Sequence, residues 1–325
     1  MHALFNRAEI ETAIELVHAQ MPPTAQYTWP LISADVGTEV WIKHENHTPT
    51  GAFKIRGGIT FMDWLRRKRP EIEGVVTATR GNHGQSLARA ATAAGLRSVV
   101  YAPKGNSIEK NAAMRAFGAE VIEDGEDFDF AILAARRASE AEGLYMVPTF
   151  HREIIRGVAT YAYELMTAVA DLDTIYVPIG SGSGICSLIT VRDALGLRTR
   201  IVGVVAAGAD AAKRSFDGGM IVDDGSARTF ADGMAVRVVV PEAFAIYSQG
   251  ADRIIAVTDD EVADAIRLLF RATHNVAEGA GAAALAALRR ERDKMVGKRV
   301  AVILCGGNID TAPFIQVMEG GTPQL

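Results

Sequence analysis

Cysteine is scarce in this chain: Cys186 and Cys305 are the only two among 325 residues. Two cysteines cannot build a disulfide framework, and no Cys-x-x-Cys pair is present to hold zinc, so a reducing compartment is expected. Long apolar runs are missing too. No stretch approaches the length of a membrane span, and the opening Met-His-Ala-Leu-Phe-Asn-Arg has no continuous apolar segment of the secretory kind. Both absences predict a cytoplasmic protein with no membrane partner. A basic surplus is likewise absent: 34 Lys and Arg stand against 39 Asp and Glu, a net charge of −5. Nucleic acid is therefore not an expected partner. Low-complexity tracts, repeats and long polar linkers are lacking, which predicts units joined by a tight interface rather than a tether.

What remains is a chain 49% hydrophobic and long enough for one large or two modest domains. Asn6 and Glu9 are placed as cap and capping-box partner of an amphipathic helix reaching Gln20, with Ile10, Ile14 and Val17 on one face. Thr-Glu-Val-Trp-Ile-Lys-His reads as a strand leading into a loop, and Phe61–Arg69 as the end of a helix stopped by Pro70. From 74 to 150, short apolar strands (Val-Val-Thr-Ala, Ser-Val-Val-Tyr-Ala, Ala-Glu-Val-Ile-Glu, Leu-Tyr-Met-Val-Pro) alternate with helices ending at Gly95, Gly118 and Gly143. Such βα units predict a small parallel sheet. The second half repeats the pattern in a larger unit, with Thr258 and Glu261 as a second capping box before a helix to about His274. The cleft between the units is the expected ligand site.

Four segments carry the chemistry. Lys43 to Gly58, Lys-His-Glu-Asn-His-Thr-Pro-Thr-Gly-Ala-Phe-Lys-Ile-Arg-Gly-Gly, sets Lys54 between Phe53 and a glycine-rich turn, where an amine is placed for a Schiff base; a lone lysine of this kind equally suits a solvated surface. Val-Pro-Ile-Gly-Ser-Gly-Ser-Gly-Ile, residues 177–185, follows a strand and opens a helix, so its N–H groups and the helix dipole suit a phosphate. It has neither the spacing of a nicotinamide site nor the Gly-Lys-Ser/Thr of a nucleotide loop. Thr-Ala-Thr-Arg-Gly-Asn-His-Gly-Gln, residues 77–85, is built alike and suits a second anion. Leu-Cys-Gly-Gly-Asn-Ile-Asp, residues 304–310, puts Cys305 at the end of an apolar strand, where it also reads as a small buried hydrophobe.

In order and spacing these segments resemble the fold-type II pyridoxal-phosphate (PLP) enzymes, and most closely the serine/threonine dehydratases, from about residue 20 to 315. The resemblance implies an α/β architecture of two open parallel-sheet domains, tryptophan synthase β-like, with the cofactor in the cleft: a large PLP-binding domain of residues 1–73 and 151–325, and a small domain of 74–150. It implies PLP held by Lys54, with Phe53 near the ring, Gly180, Ser181, Gly182, Ser183 and Gly184 on the phosphate, Cys305 against the pyridine nitrogen and Asn82 at the 3′-oxygen. Thr79, Gly81, Asn82 and His83 are then the contacts of the substrate α-carboxylate, although His83 equally reads as a helix-start histidine satisfied by backbone. The implied activity is an ammonia-lyase that eliminates water from a β-hydroxy-α-amino acid to give a 2-oxo acid and ammonia, with Lys54 as the base at Cα. Threonine or serine is the central expectation; another β-hydroxy amino acid such as 3-hydroxyaspartate or phenylserine, or racemisation, is the alternative. No acidic side chain is evidently placed for the leaving hydroxyl, which leaves the cofactor phosphate as a source for that proton. A homodimer is implied as well.

Four departures from the family pattern matter. Arg80 replaces a serine that serves racemases as a second base, and a guanidinium does not give up a proton, so racemisation is disfavoured. Two readings of Arg80 stand: a contact to a second anionic group on the substrate, or an ion pair at the surface or between domains. Trp29, before Pro30-Leu31, and Thr149-Phe150-His151 suggest a substrate other than plain threonine, or repacking of the interior. Val205 and Ala211 occupy the positions of acidic metal ligands in metal-activated members, so no metal is expected. The chain also stops shortly after Gly-Gly-Asn, which predicts no regulatory domain.

Overall fold

Ten strands sort into two sheets in the computed structural model, which describes residues 4–223 and 225–324; residues 1–3, 224 and 325 lie outside it. In chain order the strands are β1 (Gln26–Thr28), β2 (Glu39–His44), β3 (Gly74–Ala78), β4 (Arg97–Ala102), β5 (Glu120–Glu123), β6 (Tyr145–Met146), β7 (Thr174–Pro178), β8 (Arg200–Ala206), β9 (Arg253–Val257) and β10 (Arg299–Leu304). One sheet has the order β1-β2-β10-β7-β8-β9 and the other β5-β4-β3-β6. Helical crossovers cover both faces of the parallel strands, which is why β3 is buried along its whole length and β8 along nearly all of it. The architecture is the α/β arrangement of parallel sheets that the sequence predicts.

Two strands differ from expectation. β1 is an unpredicted, mostly exposed edge strand and pairs antiparallel to β2, a short edge of the kind that resists pairing with other chains. β6 is only two residues long, because Pro148 cannot donate to the ladder; the last ladder bond is Val147 N to Val76 O, 2.8 Å. Both capping boxes form, on the helices Arg7–His18 and Asp259–Thr273. The helix carrying the lysine begins at Lys54 itself and runs to Lys68.

Beneath that lysine lies a buried ion cluster. Arg56, fully buried, is gripped on one side by Glu45 (Nε–Oε2 2.7 Å, Nη2–Oε1 3.0 Å) and on the other by Glu164 (Nη1–Oε1 2.7 Å, Nη2–Oε2 2.9 Å). Lys43 reaches Glu164 at 2.6 Å, and Thr160 Oγ1 accepts a further bond from Arg56. Two cations thus face two carboxylates. Burial alone would raise the Glu164 carboxyl, but Arg56 and Lys43 outweigh it and hold the group at about 2. The cluster joins β2, the lysine helix and the helix Arg152–Ala168. These two helices cross at Gly157, where an added Cβ would lie 2.1 Å from the Arg56 carbonyl oxygen.

No helix among the described residues is long and apolar enough to cross a membrane. Removing one member of the buried cluster strands the others in a dry interior, so Arg56→Ala should cost roughly 3–5 kcal/mol in urea unfolding. Arg67→Ala, which breaks the exposed 2.7 Å pair with Asp63 on the same helix, should cost less than about 1 kcal/mol. Equal losses in the two variants would show that the cluster does not anchor the helix.

Candidate active site

A cavity of about 760 Å³ opens at the carboxyl ends of β3, β7 and β10, where the two sheets face each other. The carboxyl ends of neighbouring parallel strands are where open α/β sheets bind ligands. Loops leaving these strands bring Thr79 to His83, Gly180 to Gly184 and Cys305 to one lining, with Phe53 and Lys54 between them.

Backbone bonds fix the lysine turn to the end of β10. Phe53 N donates to Cys305 O (3.0 Å), Gly307 N to Gly51 O (2.9 Å), and Ala52 pairs with Gly306. Ser86 Oγ donates to Lys54 O (2.7 Å), which ties the turn to the helix Asn82–Ala93. Among the described residues the Lys54 ammonium has no carboxylate in contact; its hydrogen-bond partner is Ser183 Oγ at 3.5 Å, and it stands 5.0 Å from the Phe53 ring centroid. Burial lowers its pKa, against the opposing pull of Cys305 and Glu278. An amine so placed is readily neutral and nucleophilic.

The phosphate loop ends at Gly182, in the left-handed region with φ +94°, and the helix Ser183–Ala194 follows with no side-chain cap. A side chain at 182 would be strained and would press on Ala243 at 2.7 Å. Free N–H groups at that helix start are donors without partners until an anion arrives. The helix Asn82–Ala93 also starts without a side-chain cap, while Thr79 Oγ1 accepts from Gly81 N at 3.1 Å.

Two groups in this lining are held neutral by burial. The Cys305 thiol is pushed well above its ordinary range, so it is a weak donor rather than a thiolate. His83 is pushed down to about 3, first by burial and then by Lys54, and its buried Nε2 has no partner. A neutral amine, a neutral thiol, an uncapped glycine-loop helix and an amide side chain suit the aldehyde, ring nitrogen, phosphate and phenolic oxygen of PLP, and the residues therefore fit that cofactor.

Glu278 was not legible as a site residue. It precedes an alanine-rich helix, Gly279–Arg290, and reads there as an ordinary helix-start acid. In the structure it is 3% exposed and lines the cavity; Oε1 accepts from Asn82 Nδ2 at 2.7 Å and Oε2 has no partner. Asn82 Oδ1 in turn accepts from Asn308 Nδ2 (2.8 Å), which fixes the amide's orientation. Burial, reinforced by Asp232, lifts the Glu278 carboxyl to about 7, against Lys110 and Asn82. An acidic side chain therefore lies on this lining where none was evident from the sequence, because sequence does not show which acid is buried. Lys110 and Asp232, also unread, are ion-paired on the same lining.

The remaining candidates divide. Arg80 lines the cavity and its guanidinium has no hydrogen-bond or ion-pair partner among the described residues, so the ion-pair reading does not hold there. Thr149 lines the cavity, while Phe150 and His151 do not; His151 Nδ1 caps the helix Arg152–Ala168. Trp29 is also outside it, donating from Nε1 to His44 Nε2 at 3.0 Å.

The family model described as "Pyridoxal-phosphate dependent enzyme" matches residues 19–306. An L-threonine ammonia-lyase from Geobacter sulfurreducens is 37% identical over 290 residues, 89% of this chain and 72% of that protein. An L-threo-3-hydroxyaspartate ammonia-lyase from a Pseudomonas species is 30% identical over 307 residues, 91% of this chain and 93% of the relative. Among solved structures, the processed form of threonine deaminase isoform 2 from Solanum lycopersicum superposes with a TM-score of 0.88 at 28% identity, covering 98% of this chain and 95% of its own.

The raised Glu278 carboxyl has a thermodynamic signature. The folded protein releases this proton near 7 and the unfolded chain near 4.5, so the native state binds more protons in between, and stability falls as pH rises across that window before levelling off. Glu278→Gln keeps the acceptor for Asn82 and removes the titration. In melts of the cofactor-free protein, its advantage over the parent should therefore grow from about pH 4.5 to 7 and stay constant above; parallel pH profiles would contradict the assignment.

Proposed function

The chain belongs to the pyridoxal-phosphate dependent enzymes, and within that family we propose that it is an ammonia-lyase eliminating water from a β-hydroxy-α-amino acid of the threonine and serine type. The observation that carries this reading is the buried, carboxylate-free Lys54 amine, set between an uncapped phosphate loop and an uncapped carboxylate loop. Lys54, Phe53, Gly180 to Gly184, Asn82 and Cys305 would hold PLP. When bound, that group supplies the sink for the electron pair left at Cα.

The residues then divide the work. The N–H groups of Asn82 and His83, beside Gly81 and Thr79, orient the substrate α-carboxylate at the start of the helix Asn82–Ala93. Lys54, already depressed by burial, takes the proton from Cα as general base. Neutral Cys305, a weak donor, would leave the ring nitrogen of the bound cofactor without a full proton, which suits elimination over reactions needing a stronger sink. Glu278, whose carboxyl burial lifts to about 7, is the buried acid on the cavity available to the departing hydroxyl. Arg80 offers no base on the opposite face, which sets racemisation behind elimination.

The same proposal includes a homodimer in the cytoplasm, and a large domain of residues 1–73 and 151–325 with a small domain of 74–150. The strands support that division: all four of the smaller sheet fall between 74 and 146, and all six of the larger sheet lie outside that span.

The test is ammonia and oxo-acid release by the PLP-loaded protein from serine, threonine, 3-hydroxyaspartate and phenylserine in both configurations. Release from at least one, reduced about 10³-fold or more by Lys54→Ala, is the expected result. Full turnover in Lys54→Ala, or interconversion of L and D forms outpacing oxo-acid release, would refute the assignment.

A further inference from the structure

The charges around the cavity leave two guanidinium groups without a counter-charge among the described residues. Lys110 is joined to Asp232, and Arg237 to Asp129. Asp127 accepts from Asp129 N and Phe130 N as the cap of the helix Phe128–Glu142, a position where the helix dipole favours its charge. Glu278 is already bonded to Asn82, burial lifts its carboxyl to about 7, and the glycine loop bears no charge. What remains on the lining is the guanidinium of Arg80 and, farther along the large sheet's loops, that of Arg228, neither with a side-chain partner among the described residues.

Arg80 is also fixed at its root. Its carbonyl accepts from Asn106 Nδ2 (3.2 Å), and the next residue's N–H is held by Thr79 Oγ1 (3.1 Å). The guanidinium therefore springs from the loop assigned to the α-carboxylate, two residues before Asn82. The side chain is exposed and lines both the cavity and the pocket beside it, so its reach includes the space next to that carboxylate.

We propose that Arg80 reads a second anionic group, so that the preferred substrate is a β-hydroxy-α-amino acid bearing a carboxylate on its β-carbon, with Arg228 adding to the positive field. The inference rests on the ammonia-lyase reading and names its substrate class. A guanidinium presents parallel N–H donors that match a carboxylate. A threonine methyl there gains nothing from it. Phe128, Val236 and Val238 also line the cavity, which makes phenylserine the competing outcome; an aromatic ring, however, gives Arg80 no counter-charge.

The experiment has two arms on the PLP-loaded protein. In the kinetic arm, the ratio of kcat/KM for 3-hydroxyaspartate to that for threonine should exceed one, fall about 10- to 100-fold in Arg80→Ala and recover in part in Arg80→Lys. In the binding arm, isothermal titration compares succinate with butyrate, which share a four-carbon chain and differ by one carboxylate. Succinate should bind at least about tenfold tighter, with the preference lost in Arg80→Ala and weakened by salt. Equal binding of the two acids, an unchanged ratio in Arg80→Ala, or a preference for phenylserine would overturn the proposal. Failure of every β-hydroxy amino acid to release ammonia would instead sink the parent reading, and an Arg80-dependent succinate preference would still support the anion subsite.

Discussion

The grip of Glu45 and Glu164 on Arg56 is the constraint on which the rest of the site depends. Arg56 is two residues beyond Lys54 on the same helix, and its guanidinium is satisfied only if β2, the lysine helix and the helix Arg152–Ala168 meet in one arrangement. A buried charge with a misplaced partner is expensive, so the cluster selects that arrangement against its alternatives. The contact at Gly157 brings the two helices close enough for the pairs to form. The direction in which Lys54 leaves its helix is thereby decided by groups that never touch substrate.

Above that cluster the same low dielectric acts on the opposite side of the ledger. Lys54, Cys305, His83 and Glu278 are each pushed toward the neutral form by burial, and none has a close partner that restores full charge. Anions are met instead by backbone N–H groups at two uncapped helix starts, which add no mobile charge of their own. The cavity thus accepts phosphate and carboxylate while burial favours the neutral forms of the side chains around them. Arg80 and Arg228 are the exceptions, full charges without a side-chain partner among the described residues.

Much of this was legible in the sequence because it depends on local order. The glycine loop, the helix after it and the strand before it are consecutive residues, as are both capping boxes, and local pattern specifies them. Lys54, Asn82 and Cys305 come from three distant segments, and only the likeness of their motifs to a known family joined them before the fold was seen. Glu278 escaped notice because its character comes from burial by groups far away in sequence, Asp232, Lys110 and Asn82 among them. Arg80 shows the same limit from the other direction: the sequence offered an ion pair or a substrate contact, and only the placement of nearby carboxylates distinguishes them. β1 was missed because three mostly exposed residues at an edge carry no apolar alternation to read.

The central claim is that Lys54 takes the proton from Cα on one face with no base opposite. The most direct measurement is proton NMR of an amino-acid substrate, incubated with the PLP-loaded protein in heavy water and recovered before turnover is complete. The account predicts deuterium at Cα with configuration retained, together with release of oxo acid, and no exchange in Lys54→Ala. Exchange that persists without Lys54, or that proceeds with loss of configuration, would contradict it.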